Sequence, residues 1–314
     1  MARATSGQRT VGGRFAPSPA FLHRRAMRAA VMHGLLFAAG SVSILVTFGI
    51  VYTLVVEAWP FFAEVGLWTF LTDTQWTPLF ARPRYGILPL VAGTVTTSAI
   101  ALAVAIPAGT MVAIHLSEFA DRRVRELVKP VLELLAGVPT VVYGYFALLV
   151  VTPLLRLVIP DLPGFNMLSA GLVMGIMILP YVVSLSEDAM RAVPDSLREG
   201  AYALGFTRLQ TAVRVVIPGA FSGITAAYLL GMARAVGETM VVALAAGQNP
   251  KLTFNPLEGA ATITAYIVQV SLGDAPHGSI AYRSIFAAGL TLFVMTLLFN
   301  LLGFWLRRRF REVY

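Results

Sequence analysis

The chain has 314 residues, 57% of them hydrophobic and 13% charged, with a mean hydropathy of +0.75 and a formal net charge of +8. This balance excludes a soluble globular domain and describes a polytopic membrane protein. With no cysteine and with His23, His33, His115 and His277 scattered outside any metal-ligand spacing, disulfides, thiolate sites, a cysteine nucleophile and a histidine metal centre are excluded as well.

Residues 1–28, rich in Arg, Ser, Gly and Pro, are expected to form a disordered basic tail. The apolar run that follows, Val31–Val56, is 26 residues long, well beyond the roughly 7–15 of a cleaved signal, and reads as a retained span. Five further runs are long enough to cross a bilayer: Ile87–Leu116, Leu132–Leu155, Leu168–Ser186, Ala220–Ala246 and Ser284–Leu306. Residues 29–314 thus form an all-α domain of six transmembrane helices. Pro107, Pro139 and Pro180 fall inside these runs and are expected to kink them. Gly171 and Gly175 form a small-xxx-small pair suited to close helix packing.

Between the first and second spans, Trp59, Trp68 and Trp76 suit an interfacial aromatic belt. Between the fifth and sixth, Ala260–Leu272 is apolar but too short to span, and reads as a re-entrant or interfacial helix. The basic residues sort by side. Eighteen of the 24 precede span one, follow span six, or lie between spans two and three or four and five. Five lie on the other side, and Arg234 falls within span five. The positive-inside rule then places both termini in the cytoplasm.

The loop between spans four and five, residues 195–218, is a polar island. Its stretch EGAYALGFTRLQTAVRVVIP reads as a short helix from Glu199 to Leu204, a break at Gly205, and a second amphipathic helix ending at Pro218. Charges and a broken backbone cannot lie in lipid, so an ordered cytoplasmic loop of this kind is suited to docking a partner. Glu199, Gly200, Ala201, Gly205, Val215, Ile217 and Pro218 fit the pattern E-[AG]-A-x3-G-x9-[IV]-x-[LI]-P. That pattern resembles the EAA loop of ABC-importer permeases, which seats in a groove of a cytoplasmic ATPase. Gly200 replaces the commoner Ala.

Span five carries GMARAVGETM, with Arg234 and Glu238 at i, i+4 on what reads as one helix face. A mid-membrane charge costs on the order of 2.5–3.5 kcal/mol on insertion scales, so such residues face the bundle interior and pair. One reading is an ion pair that only holds helices together. The other is a polar station on a substrate path. Arg suits an oxyanion because its fork donates two parallel hydrogen bonds. Glu beside it tolerates a partly protonated anion such as hydrogen phosphate better than sulfate.

Three segments, GMARAVGETM, VPTVVYGYFAL at Val138–Leu148 and LPYVVSLSEDAMRAVP at Leu179–Pro194, resemble the membrane permease subunit of phosphate-specific ABC importers, of the PstC type. The resemblance covers about residues 85–310. It implies the type I ABC importer (MetI-like) permease fold in a bacterial plasma membrane. It also implies a heterodimer with a sister permease, a homodimeric ATPase that binds ATP and Mg, and an extracytoplasmic phosphate-binding protein. By the same resemblance Arg234 and Glu238 belong to the substrate path, and Glu199, Gly200, Ala201, Gly205 and Pro218 to the ATPase-coupling loop. The chain itself is expected to bind no cofactor, metal or nucleic acid and to be no enzyme. It has no GxxxxGK[ST] loop, and Ser41, Ser98 and Ser184 lack matching His partners. The alternatives are a permease for molybdate or sulfate, or a proton-coupled secondary transporter using Glu238 as relay.

Overall fold

A computed structural model describes residues 19–80, 82–273 and 275–309. Most of the expected disordered tail, residues 1–18, lies outside them; residues 19–28 are already helical. The chain divides into residues 1–53 and 54–314. In the first unit the described residues are all in α1 (Pro19–Val65), and almost every one is exposed. Its threonines turn their hydroxyls onto its own backbone, Thr47 to Ser43 O at 3.0 Å and Thr53 to Gly49 O at 2.9 Å. That arrangement satisfies the two hydroxyls within the helix instead of leaving them unpaired in lipid.

Among the described residues of the second unit the regular elements are helices, with one isolated Trp76–Tyr85 bridge. After α2 (Leu67–Thr72) comes α3 (Leu88–Ile114), which ends in a π-helical turn, His115–Phe119. Next come α4 (Arg122–Gly137), α5 (Thr140–Phe146) and, after a second π turn, α6 (Thr152–Arg156). α7 (Met167–Arg191) is the most buried long helix and packs against α3, α4, α11 and α12. Buried Asn166 caps it, its side-chain oxygen accepting from Ser169 N at 2.7 Å. The remaining helices are α8 (Asp195–Ala203), α9 (Arg208–Thr211), α10 (Ile217–Gly219), α11 (Phe221–Val236), α12 (Met240–Ala245), α13 (Ile263–Ser271) and α14 (Ile280–Arg309).

Among the described residues, four helices are long and apolar enough to cross a membrane: Phe21–Val65, Leu88–Phe119, Met167–Arg191 and Ile280–Trp305. Counting each of two bent pairs as one span brings the number to six. In the first pair, Arg122–Gly137 meets Thr140–Arg156 at 90°, so the expected continuous span Leu132–Leu155 is broken. Pro139 has no amide proton and disfavours helical geometry at Val138, which is extended at φ −67°, ψ 130°. Tyr143 braces the corner by donating to Leu135 O at 2.7 Å. Pro107 and Pro180, by contrast, stay inside continuous helices.

The second bent pair joins Arg208–Gly219 to Phe221–Val236 at 72°. The expected span Ala220–Ala246 is also interrupted, because α11 stops at Val236 and α12 starts at Met240.

Gly171 and Gly175 act as their spacing predicts. A Cβ on Gly171 would lie 2.7 Å from the Ile100 side chain, and one on Gly175 2.9 Å from Ala101 O. Their hydrogens let α3 approach α7 at backbone distance. The tryptophans divide. Trp59 and Trp68 are 73% and 79% exposed, as a belt requires, but Trp76 is buried at 1%. It lies edge-on to Phe70, Tyr85 and Tyr266 at 4.9–6.2 Å between centroids, in an aromatic core that also takes in Phe61. The Ala260–Leu272 segment contains α13, which is buried on Ile263, Thr264, Ala265 and Tyr266 and packs on α3, α12 and α14.

Candidate functional site

The first candidate site is the polar segment after α7. Glu199, Gly200 and Ala201 lie in α8, which extends four residues N-terminal to the expected start. Gly205 takes φ +84°. Gly205 N donates to Tyr202 O at 2.9 Å and Phe206 N to Ala201 O at 3.1 Å, the two bonds of a Schellman stop. Thr207 then opens the next helix with a capping box: its hydroxyl accepts from Gln210 N, and the Gln210 side chain accepts from Thr207 N at 2.9 Å. The second helix runs Arg208–Gly219 through a π turn at Ala212–Val216, with Pro218 inside its last turn. The helix–glycine–helix reading of the sequence therefore holds.

Only Ala201 of α8 is buried. Across the turn Tyr202, Leu204, Leu209 and Val213 are exposed, Leu204 to 80%. α8 stands off α4 across an open polar cleft of about 720 Å³, lined among others by Asp121, Arg125, Arg191 and Arg208. Leu197 is half-buried against the apolar cluster that holds Leu116 and Met190, and one polar side chain ties the helix back. Arg198 donates from Nη2 to Glu118 Oε1 at 3.1 Å and from Nε to Glu118 Oε2 at 3.3 Å. The same guanidinium donates to Val193 O at 2.6 Å, Met190 O at 2.9 Å and Asp195 Oδ1 at 3.2 Å. Burial alone would lower the Arg198 pKa, but the hydrogen bonds and charge of Glu118, with Asp195 and Tyr202, outweigh it and the net shift is upward.

The second candidate site is the interruption between α11 and α12. Arg234 and Glu238 do not share a helix face, because α11 ends between them at Gly237. Glu238 is 8% exposed, and its Oε1 accepts from Met240 N at 3.0 Å and Val241 N at 3.3 Å, capping α12. Its carbonyl accepts from Thr264 Oγ1 at 2.6 Å, which pins the break to α13. Oε2 takes no hydrogen bond from the described residues.

Arg234 makes no ion pair and no hydrogen bond among the described residues, and its Nε is buried without a partner. Its guanidinium carbon sits 4.5 Å from the centre of the Tyr181 ring. The structural ion pair between Arg234 and Glu238 is therefore not formed. What remains is a planar cation with free donors beside a helix break, an arrangement able to hold an oxyanion.

The three motif segments converge here. Tyr143 and Ala147 from the first, Ile178 and Val182 around the second, and Ala235 and Val241 around the third share one buried apolar cluster. Sequence reasoning missed Tyr181, although it lies in the quoted Leu179–Pro194 stretch. It also missed Glu187, whose side chain is 0% exposed at the end of α7. Lys129 Nζ is 2.6 Å and Arg125 Nε 3.5 Å from its carboxylate, with Arg191 at 3.7 Å. Of these, only the Glu187–Arg191 spacing of four is visible in the sequence. Two basic residues of α4 thus reinforce the half-buried packing of Val128 and Leu132, which together seat this amphipathic helix on the bundle beside α7.

Comparison with known proteins agrees with this architecture. The chain is 39% identical over 233 residues to the probable ABC transporter permease protein YqgH of Bacillus subtilis, covering 74% of this chain and 75% of that one. It is 34% identical over 298 residues to the phosphate transport system permease protein PstC of Mesorhizobium japonicum, covering 89% and 90%. In backbone it is similar, at TM-score 0.64 and 18% identity, to a chain of a bacterial ABC transporter involved in the import of the acidic polysaccharide alginate. That match covers 92% of this chain and all of the other, and it speaks to the fold alone. Residues 105–312 match the model of the binding-protein-dependent transport system inner membrane components, and the chain belongs to that family.

Proposed function

We propose that the chain is the permease subunit of an ATP-driven inorganic phosphate importer. The observation that carries the reading is the half-buried Arg234 side chain, its Nε buried without a partner and no ion pair made beside the α11–α12 break, in a chain similar to phosphate permeases. A cation partly withdrawn from water without a counter-charge is costly, and an oxyanion passing the break supplies the missing charge. Glu238 accepts through Oε1 for its capping role and leaves Oε2 for one proton-bearing substrate oxygen. Hydrogen phosphate carries such a proton; sulfate does not.

The chain is a non-catalytic transport subunit, and hydrolysis belongs to a separate ATPase that binds ATP and Mg. Residues 195–218 dock that ATPase through Glu199, Gly200, Ala201, Gly205 and Pro218 on the cytoplasmic face. Both termini lie on the same face. A sister permease completes the path, and an extracytoplasmic phosphate-binding protein delivers the anion. Three features support the docking reading: the exposed apolar residues around the turn, the rigid Schellman and capping-box geometry, and the excess of basic residues at this end.

The test is uptake of labelled phosphate at low micromolar concentration in cells lacking the gene, with the chain restored, against excess sulfate or molybdate. Restored uptake that resists both competitors is expected. Arg234→Ala is expected to assemble and to lose at least 90% of uptake, in line with the ~10-fold or greater cost of a lost charge-assisted contact. Glu238→Gln keeps a capping oxygen but turns the free acceptor into a donor, and is expected to narrow the preference for phosphate over sulfate. Full uptake by Arg234→Ala, or unchanged selectivity in Glu238→Gln, would return these residues to structural roles. Uptake abolished by molybdate or sulfate would assign another oxyanion.

A further inference from the structure

We propose that the Arg198–Glu118 ion pair is the positioning link that carries displacement of α8 into α3 and α7, so that these two residues set how tightly ATP hydrolysis is coupled to transport. The inference rests on the reading of residues 195–218 as the ATPase-docking segment.

The geometry is that of a strut. α8 buries Ala201, half-buries Leu197 against the apolar cluster that holds Leu116 and Met190, and otherwise faces a polar cleft, so its non-directional apolar packing into the bundle is limited to these side chains. The Arg198 side chain is 14% exposed and Glu118 5%, and they meet as a two-bond fork across 80 residues of sequence. Such a pair is directional and short-ranged, whereas an exposed ion pair would yield to solvent. The same guanidinium holds Met190 O, in the last turn of α7, and Val193 O just beyond the helix end. One side chain therefore joins the polar segment to the ends of two long helices.

Both of those helices lead toward Arg234. α7 carries Tyr181, whose ring lies under the Arg234 guanidinium. α3 carries Thr110, whose hydroxyl is 2.6 Å from Tyr228 of α11, the helix that bears Arg234. The Glu118 end is a π-helical turn, His115–Phe119, and such turns are frequent at functional positions in helices. Spatial continuity alone does not establish coupling, so the test measures the coupling itself.

The experiment uses the full complex of this chain, its sister permease and its ATPase in proteoliposomes with phosphate-loaded binding protein. The readout is labelled phosphate moved per ATP hydrolysed, with ATPase content of each purified complex measured alongside. Glu118→Gln lies outside the docking segment and is expected to retain the ATPase at wild-type stoichiometry, while phosphate per ATP falls at least tenfold. Arg198→Met, which keeps the aliphatic stem, is expected to fall as far. The double variant is expected to be no worse than the poorer single variant within threefold, because both changes remove one link.

Single variants that keep the wild-type ratio within threefold would overturn the proposal, as would losses that multiply in the double variant. Loss of ATPase from the Glu118→Gln complex in step with transport would also overturn it, since the pair would then serve assembly. Failure of the wild-type chain to bring down any ATPase would instead refute the docking reading, and the strut with it.

Discussion

Gly200 and Gly205 lie five residues apart in one exposed element, and the structure gives them opposite roles. Gly200 is inside α8, and nothing lies within 4 Å of where its Cβ would be. Replacing it by Ala removes the helix-interior penalty of glycine and is expected to stabilise α8 by about 1 kcal/mol. Gly205 also has open space around its Cβ, but its φ is +84°. Ala there adopts a left-handed conformation at a cost of about 1–2 kcal/mol, with no clash to add. The readout is amide hydrogen exchange across residues 201–206 in the detergent-solubilised chain, where local opening sets the rate. Gly200→Ala should slow exchange about fivefold, and Gly205→Ala should speed it about five- to thirtyfold. The ATPase arm separates fold from docking. If a partner surface closes on this turn, Gly205→Ala lowers ATPase co-purification, whereas Gly200→Ala, which installs the commoner residue of such loops and meets nothing within 4 Å, retains it. Exchange that speeds up in Gly200→Ala as well would refute the conformational argument, since it would mean that α8 is not helical at that position.

Three other perturbations test the bundle itself. Gly175→Ala places a methyl 2.9 Å from Ala101 O and should cost about 1–3 kcal/mol through forced separation of α3 from α7, seen as a lower thermal midpoint; an unchanged midpoint would deny that close approach. Glu187→Ala leaves Arg125, Lys129 and Arg191 facing one another without their shared carboxylate. Because those cations are partly exposed the loss should fall near the lower end for a broken buried pair, about 3 kcal/mol, with α4 becoming protease-sensitive; an α4 as resistant as in the parent would rule the clamp out. On the opposite end of the bundle, the hydrogen bond from Lys251, 2.7 Å away, with one from Thr253, holds the Glu258 carboxyl below its ordinary 4.5. A depressed folded pKa contributes stability above the unfolded value, and that stability is lost as pH falls through the folded one. Proteolysis of the 247–262 loop should therefore be flat from pH 7 to about pH 5 and rise only below 4.5, with Glu258→Gln flat throughout; a rise between pH 5 and 7 would contradict the assignment.

The sequence by itself determined the features that depend on neighbours along the chain. Apolar run length gave six spans, and the Gly205 break between two short helices followed from local capping chemistry. The small pair Gly171 and Gly175 announced a close helix contact. Composition alone, however, cannot distinguish a straight span from a broken one. Val138–Pro139 lies within an apolar run, and Glu238 sits four residues after Arg234 as it would on an unbroken helix; only tertiary packing and the Glu238 cap favour the breaks.

Tertiary structure also decided the long-range pairings of charge. Arg234 and Glu238, four residues apart, turn to different partners because α11 ends between them. Arg198 and Glu118, 80 residues apart, meet because α3 and α7 finish side by side. Trp76 leaves the expected belt for the aromatic core because the Tyr85 and Tyr266 rings enclose it. Span length and local caps are set by free energies that a short window contains. Which buried charge meets which is set by contacts between segments brought together only when the bundle packs, and no window along the chain contains those.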